Sequence, residues 1–418
     1  MTKHSYPNTL YTNDNLYVLS GMNSTTVDLI YLDPPFNSKR MYAAPVGSKA
    51  AGASFKDMWS WKDVDEYYLD TLASQFPILA RYIANVGVVH SKPMMAYLTY
   101  MSQRMIEMHR ILKDTGSLYL HCDPTASHYL KILLDFIFGK NNFRNEIVWC
   151  YTGPSGSKKN FPAKHDTILR YSKSDAFIFN ADLIRIPYKA LHTDKGKNAK
   201  IWKTEGKLQD ETVRQEYIEK GKIPEDFWID IPSGGHISPH ERTGYPTQKP
   251  LALLYRIIRA SSNEDDIVLD PFCGCATTCV AAQQLGRGWI GIDLEKQSVS
   301  ILVERLSNDA GLFKDFVATD QIPKRTDIHE IEPSKSIKQR LYKEQDGKCN
   351  ACGTAFEIHH LEIDHIFPKA KGGGDYYENY QLLCGLCNRI KGDRTMEYLR
   401  LKIETRERMM KIKIFFGE

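Results

Sequence analysis

From about residue 9 to about residue 310 the chain repeats one pattern: a short run of branched and aromatic residues, then a longer stretch with apolar residues at helical spacing. Runs that apolar leave no wet face, so they read as strands covered on both sides, the condition of a parallel sheet. Six stand out: VDLIYLD (Val27–Asp33), GSLYLHCD (Gly116–Asp123), NEIVWCY (Asn145–Tyr151), DTILRYS (Asp166–Ser172), DIVLDPF (Asp266–Phe272) and GWIGIDL (Gly288–Leu294). Between them, Tyr97 to Leu112 sets Leu98, Met101, Met105, Met108 and Leu112 on one helical face, a stripe that reads as core. The expectation is an α/β domain over residues 1–310 with a mostly parallel, doubly wound sheet.

Two stretches interrupt the alternation. Residues 37–95 form a long insertion rich in Trp, Tyr and Ala, and residues 152–240 interleave lysines with aromatics, as in GPSGSKKNFPAKH. The second has the composition of a surface that follows a phosphate backbone. With 418 residues, the chain is also too long for one domain of ordinary size. Residues 311–333 carry charges and prolines without apolar period and read as a linker, and residues 334–418 as a smaller domain ending in a charged helix. No run reaches the roughly 18 apolar residues of a membrane span, and the first residues lack the apolar segment of a secretory signal. A cytoplasmic chain without membrane association is expected.

The first chemistry sits where a strand ends. Asp33-Pro34-Pro35-Phe36 places a carboxylate, a stiffened backbone with free carbonyls and an aromatic face together, at the edge where open α/β sheets hold ligands. Such a corner suits an exocyclic amino group, its two N–H bonds going to Asp33 and the Pro34 carbonyl while Phe36 stacks on the ring. Downstream, Asp266–Leu294 reads as strand, glycine turn, helix and strand ending in Asp293, an acid placed to take ribose hydroxyls. The turn is neither GxGxxG nor a phosphate loop, which favours a nucleoside with an uncharged linkage such as S-adenosylmethionine.

Taken together, DPPF, GYPTQKP (Gly244–Pro250), LDPFCGCATT, and the flanking GSLYLHCDPTASHYLK and NFRNEIVW resemble the β-order DNA amino-methyltransferases, over roughly residues 9–310. The resemblance implies methyl transfer from S-adenosylmethionine to the amino group of a flipped base in double-stranded DNA. A leading aspartate in the motif points to adenine before cytosine. By motif match Asp33, Pro34, Pro35 and Phe36 hold the base, and Asp270, Phe272, Gly274 and Asp293 line the cofactor pocket. Thr247, Lys249 and Pro250 reach it from the other side, Asp14 approaches the adenine, and residues 152–240 recognise the target. Where the family has a second glycine this chain has Ala276, which is expected to hold helix-start dihedrals without strain.

The second chemistry begins with Cys349-x-x-Cys352 and Cys384-x-x-Cys387, two thiol pairs suited to one tetrahedral zinc that braces a small domain. Around them LEIDHIFPKAKGGGDYYENYQLLCGLCNRIKGDR resembles the zinc-braced HNH endonucleases with a ββα-metal fold, over roughly residues 336–395. The resemblance implies His365 as general base, Asp364 and Asn388 as ligands of a catalytic Mg²⁺ or another divalent cation, and Asn379 as the residue fixing the loop behind His365. Lys391 and Arg394 are expected to meet flanking phosphates, and His359 and His360 to lie on opposite faces of a strand. A methyltransferase fused to a nuclease suggests restriction and modification in one chain. The alternative is a methyltransferase whose zinc module only binds DNA. With 55 basic and 51 acidic residues, neither part is broadly basic, so a DNA path must be a local stripe. The oligomeric state is left open, a dimer included.

Overall fold

The computed structural model describes residues 8–36, 40–44, 48, 54–57, 72–73, 75–151, 153, 158–187, 219–295, 297–307, 316–327, 333–371, 373–396, 398–400 and 402–403. All six runs read as strands are strands. In chain order, β1 spans Thr9–Thr12, β2 Val27–Leu32, β3 Arg40–Ala43, β4 Ser54–Asp57, β5 Leu112–Cys122, β6 Phe143–Cys150, β7 His165–Ser172 and β8 Phe227–Trp228. After them come β9 at Ile267–Asp270, β10 at Gly288–Asp293 and β11 at Val317–Thr319. Nine of these form one sheet in the order β11-β1-β10-β9-β2-β5-β7-β6-β8, with β3 and β4 pairing apart as an antiparallel hairpin. Every neighbouring pair in the large sheet is parallel except those made by β7, which runs antiparallel to both β5 and β6.

Helices cover both faces. On one lie α1 (Asn15–Gly21), α2 (Pro77–Val89), α3 (Lys92–Ile111) and α4 (Ser127–Phe138); on the other lie α5 (Leu251–Ser261) and α6 (Thr277–Gln284). The methionine stripe of α3 is core as expected: Leu98, Met101, Met105 and Met108 are fully buried. Helix α3 starts at Lys92 because Ser91 caps it by accepting from the Met94 amide and Pro93 fills its first turn. Helix α7 (Gln297–Ser307) follows β10.

Two boundaries differ from the sequence reading. The stretch 152–240 is not one excursion, because β7 lies inside it and is the buried strand joining β5 to β6. Among the described residues only 153, 158–164, 173–187, 219–226 and 229–240 lie off the sheet, β8 returns to its edge beside β6, and residues 188–218 fall outside the described residues. Residues read as linker also contribute structure: β11 closes the sheet edge on β1, and the following backbone stays on the first domain through Asn13–Asp320, Asn23–Thr326 and Ser24–Asp327 hydrogen bonds.

The second domain is small. Helix α8 (Lys335–Glu344) packs on the antiparallel pair β12 (Leu361–His365) and β13 (Tyr380–Cys384), and α9 (Gly385–Lys391) follows directly. Its core is built from Ile337, Leu341, Leu361, Leu382, Leu383, Met396 and Leu399. The charged C-terminal helix expected from Thr395 lies beyond residue 403 largely outside the described residues.

Candidate functional site

Strand β2 ends at Leu32 and the chain turns out of the sheet at Asp33, while β9 ends at Asp270, β10 at Asp293 and β1 at Thr12, two residues before Asp14. Four neighbouring parallel strands thus deliver four carboxylates to one rim, the carboxyl edge of the sheet.

On the β1–β10–β9 half, Asp293 closes the glycine turn by accepting from the Gly274 amide at 2.7 Å and the Glu295 amide at 2.9 Å. Burial raises its carboxyl to about 6, against the pull of those amides. Asp270 is raised further, to about 7, by burial, although Thr278 and the Phe272 amide donate to it. Gly274 has φ +49, and a β-carbon there would lie 3.0 Å from the Tyr245 ring, so both backbone and neighbour favour glycine. Asp14 caps α1 through the Leu16 amide and accepts from Arg104 at 2.9 Å. Arg104, buried on α3, also donates to Asn15, whose amide in turn donates to the Pro271 carbonyl. Arg104 carries no signal in the sequence beyond being a charge within an apolar stripe.

Ala276 corrects an expectation. It is the residue before α6 and has φ +58, ψ +31, the left-handed region where a β-carbon is penalised. The helix-start conformation expected of it is therefore absent. The turn demands a glycine-like backbone and this chain meets the demand with alanine.

At the centre of the rim, Lys249 donates to Asp33 Oδ2 and lies 5.5 Å from the centre of the Phe36 ring. Asp33 Oδ1 is buried and has no hydrogen-bond partner among the described residues. The structure thus brings Lys249 to the corner of Asp33 and Phe36, whereas the motif match attached it to the cofactor pocket. Thr247, in the left-handed region at φ +62, and Pro250, which precedes α5, form the turn that delivers Lys249. Gln248 locks that turn by accepting from Thr243 and donating to the Glu241 carbonyl.

In the second domain the four cysteine sulfurs lie within 4.8 Å of one another, three of the residues buried. Zinc–sulfur bonds of about 2.3 Å in a tetrahedron separate sulfurs by just under 4 Å, so the cluster fits zinc. At the other end of β12 from Cys384, His365 Nε2 meets Asp375 Oδ1 at 2.7 Å. Asp375, from the glycine-rich turn, also accepts from Lys369 and Tyr380. Burial would raise its carboxyl, but these donors hold it down at about 2. Asn379 is 3 % exposed and clamps the loop through Phe367 N, Phe367 O and Gly374 O.

Three expectations about this domain change. Lys391 is 1 % exposed; its ammonium sits 3.1 Å from Asp364 and donates to the His365 carbonyl, so it does not face a phosphate. Asn388 donates to Glu362 rather than meeting Asp364, and Glu362 shares a strand face with Asp364. His359 and His360 fall in a turn before β12 with ring centres 4.0 Å apart, because the strand starts only at Leu361.

Among the described residues no helix is long and apolar enough to cross a membrane. Residues 27–304 match the DNA methylase family, and residues 349–394 match HNH endonuclease. Type II methyltransferase M.HpaI of Haemophilus parainfluenzae is 32 % identical over 234 residues, 55 % of this chain and 64 % of the relative. The DNA adenine methyltransferase YhdJ of Escherichia coli K12 is 27 % identical over 339 residues, 79 % of this chain and 95 % of the relative. Type II methyltransferase M1.MboII of Moraxella bovis is 35 % identical over 205 residues, 45 % of this chain and 71 % of the relative. The chain thus spans just under two thirds of M.HpaI. The solved PvuII DNA methyltransferase (cytosine-N4-specific) matches with a TM-score of 0.44 and 14 % identity, covering 75 % of this chain and 97 % of that one. By the match over residues 27–304, this chain belongs to the DNA methylase family, and it carries an HNH endonuclease-type domain behind it.

Proposed function

We propose that the first domain transfers a methyl group from S-adenosylmethionine to the exocyclic amino group of a base flipped out of double-stranded DNA, adenine before cytosine. The observation that carries this reading is the half-satisfied Asp33: Oδ2 is held by Lys249 while the buried Oδ1 is left to accept from an incoming N–H. A buried acceptor without a donor costs about 1–3 kcal/mol, a debt that a bound amino group would cancel. The Pro34 carbonyl is the natural acceptor for the second N–H, and Phe36 the stacking face. S-adenosylmethionine, when bound, supplies an electrophilic methyl on sulfur; Asp293 and Asp270 would hold it, with Gly274 giving close approach. The protein's part is alignment, and Asp33 also stands ready for the proton the amino nitrogen must shed. Extraction of the base costs roughly a few kcal/mol. Lys158, Lys159 and the fully exposed Phe161, on the segment leaving β6, offer a local basic and aromatic surface for the duplex. The adenine preference rests on the leading aspartate and on the relative named as an adenine methyltransferase. Modified-base sequencing of DNA from cells expressing the protein tests it: N6-methyladenine at one motif is expected, and unmodified DNA would overturn it.

For the second domain the reading is DNA cleavage, with His365 Nδ1 as base, Asp375 orienting the ring, and Asp364 supplying an oxygen ligand for Mg²⁺, the hard ligand such a cation prefers. Joined to the first, this makes a restriction–modification pair in one chain. One observation favours the other reading, a module that binds DNA without cutting: Lys391 already neutralises Asp364. Incubating methylated and unmethylated plasmid with Mg²⁺ separates the two. Cleavage of one substrate only, lost in His365→Ala, is expected; no cleavage of either leaves a binding module.

A further inference from the structure

The cofactor-side carboxylates lie on β1, β10 and β9, yet the same rim continues past Asp33 across β5, β7 and β6, and this second half holds a polar network that neither motif includes. His121 is fully buried within the otherwise apolar run of β5. Its Nδ1 meets the Tyr31 hydroxyl at 3.0 Å and its Nε2 meets Asp166 Oδ2 at 3.1 Å. The other Asp166 oxygen accepts from the Tyr151 hydroxyl at 3.1 Å. With the Tyr31 proton given to Nδ1, the imidazole hydrogen sits on Nε2 and goes to Asp166, so each donor has one acceptor. The imidazole plane lies 18° from that of Phe36, centres 6.0 Å apart. Tyr151 packs edge-on against buried Trp149, whose ring also meets His121 edge-on. Register explains the gathering: Asp166 opposes Trp149 across β6–β7, and His121 opposes Ile168 across β5–β7.

Buried polar groups in a strand run are costly unless they serve one another, and here they join two aromatic residues on either side of one carboxylate. His121 backs Phe36, the stacking face next to Asp33. Tyr151 is half-buried and leads straight into the segment carrying Lys158, Lys159 and Phe161. We propose that Asp166 and His121 are positioning residues that fix the separation of Phe36 and Tyr151, and that Tyr151 is the second aromatic wall for the extruded base. This rests on the reading of the first domain as a base methyltransferase.

The test uses the full chain and a duplex carrying the motif found by modified-base sequencing. Methyl transfer is measured for wild type, Tyr151→Ala, Tyr151→Phe, Asp166→Asn and His121→Ala, with S-adenosylmethionine binding followed by calorimetry as a check on folding. Tyr151→Ala is expected to raise KM for duplex about tenfold with cofactor affinity unchanged, since stacking on one face is lost. Tyr151→Phe keeps the stacking face but loses the bond to Asp166, so its KM for duplex should stay within about threefold of wild type while its kcat falls as in Asp166→Asn. Asp166→Asn and His121→Ala should lower kcat more than they weaken cofactor binding. Tyr151→Ala with wild-type KM, or with cofactor binding weakened as much as DNA binding, overturns the proposal. Wild-type protein that methylates no DNA overturns the underlying reading itself, a distinct result.

Discussion

At the scale of single residues, Lys249 decides how the motif around it works. An ammonium on Asp33 Oδ2 neutralises the carboxylate and leaves its other oxygen buried without a partner among the described residues. In Lys249→Met that pairing is lost, and kcat is expected to fall about a hundredfold with the dissociation constant for S-adenosylmethionine changed less than threefold. The opposite split, intact kcat at saturation and collapsed cofactor affinity, would return Lys249 to the cofactor pocket that the motif match assigned it. Asp293 carries a pH signature. Its carboxyl is raised to about 6 from an ordinary 3.8, with burial the main cause, so between those values the folded state holds a proton that the unfolded state has released. Its contribution to stability therefore falls as pH rises through that window, while the carboxylate that would accept ribose hydroxyls appears. Affinity for S-adenosylmethionine is expected to tighten about tenfold between pH 5 and pH 7, measured by calorimetry. A flat profile would remove Asp293 from the ribose.

At the scale of elements, buried parallel strands announce themselves because two covered faces demand unbroken apolar runs, and β2, β5, β9 and β10 were readable for that reason. The carboxylates Asp33, Asp270 and Asp293 were readable with them, since each ends such a run. Strands β1, β8 and β11 were not, being four, two and three residues long at or near an edge. DTILRYS was legible as a strand, but nothing local says that it runs antiparallel between β5 and β6. Through-space partners were equally hidden: Arg104 meets Asp14 across 90 residues, and Asp166 meets His121 across 45. A histidine amid the apolar LYLHC run was the one clue to the second network. The turn entering α6 shows a conflict that sequence alone hid, an alanine held at φ +58. Ala276→Gly releases that strain, offset by glycine's larger loss of chain freedom, for a net gain of about 0.5–1 kcal/mol. The thermal midpoint of the first domain is expected to rise by about 1–3 °C in a scanning melt. A lowered midpoint would mean that the alanine methyl packs well enough to outweigh its backbone.

At the scale of the whole molecule, the two domains differ in what holds them. The first buries two large apolar clusters, one on each face of a nine-stranded sheet. Among the described residues the second has a two-stranded sheet, two short helices and a core of about ten buried side chains, too few to offset the chain entropy of some seventy residues without a staple. The four cysteines supply it: Cys349 and Cys352 follow α8, Cys384 ends β13, and Cys387 lies in α9, so one ion ties three elements together. Contacts across the domains exist, as where the Tyr17 ring on α1 meets Phe367 with centres 4.8 Å apart and Arg325 lies 5.9 Å from the Tyr376 ring. Isolated ring contacts of this kind are worth about a kcal/mol each, far below what folds a domain. Zinc removal is therefore expected to unfold the second domain alone. After chelation, or in Cys384→Ser/Cys387→Ser, limited proteolysis should remove residues beyond about 333 and leave a resistant first domain that still binds S-adenosylmethionine with unchanged affinity. Any DNA cleavage should disappear with the digested part and return when zinc is restored to the chelated wild type. Loss of cofactor binding in step with zinc would show instead that the sheet depends on the module behind it, and that the two halves fold as one unit.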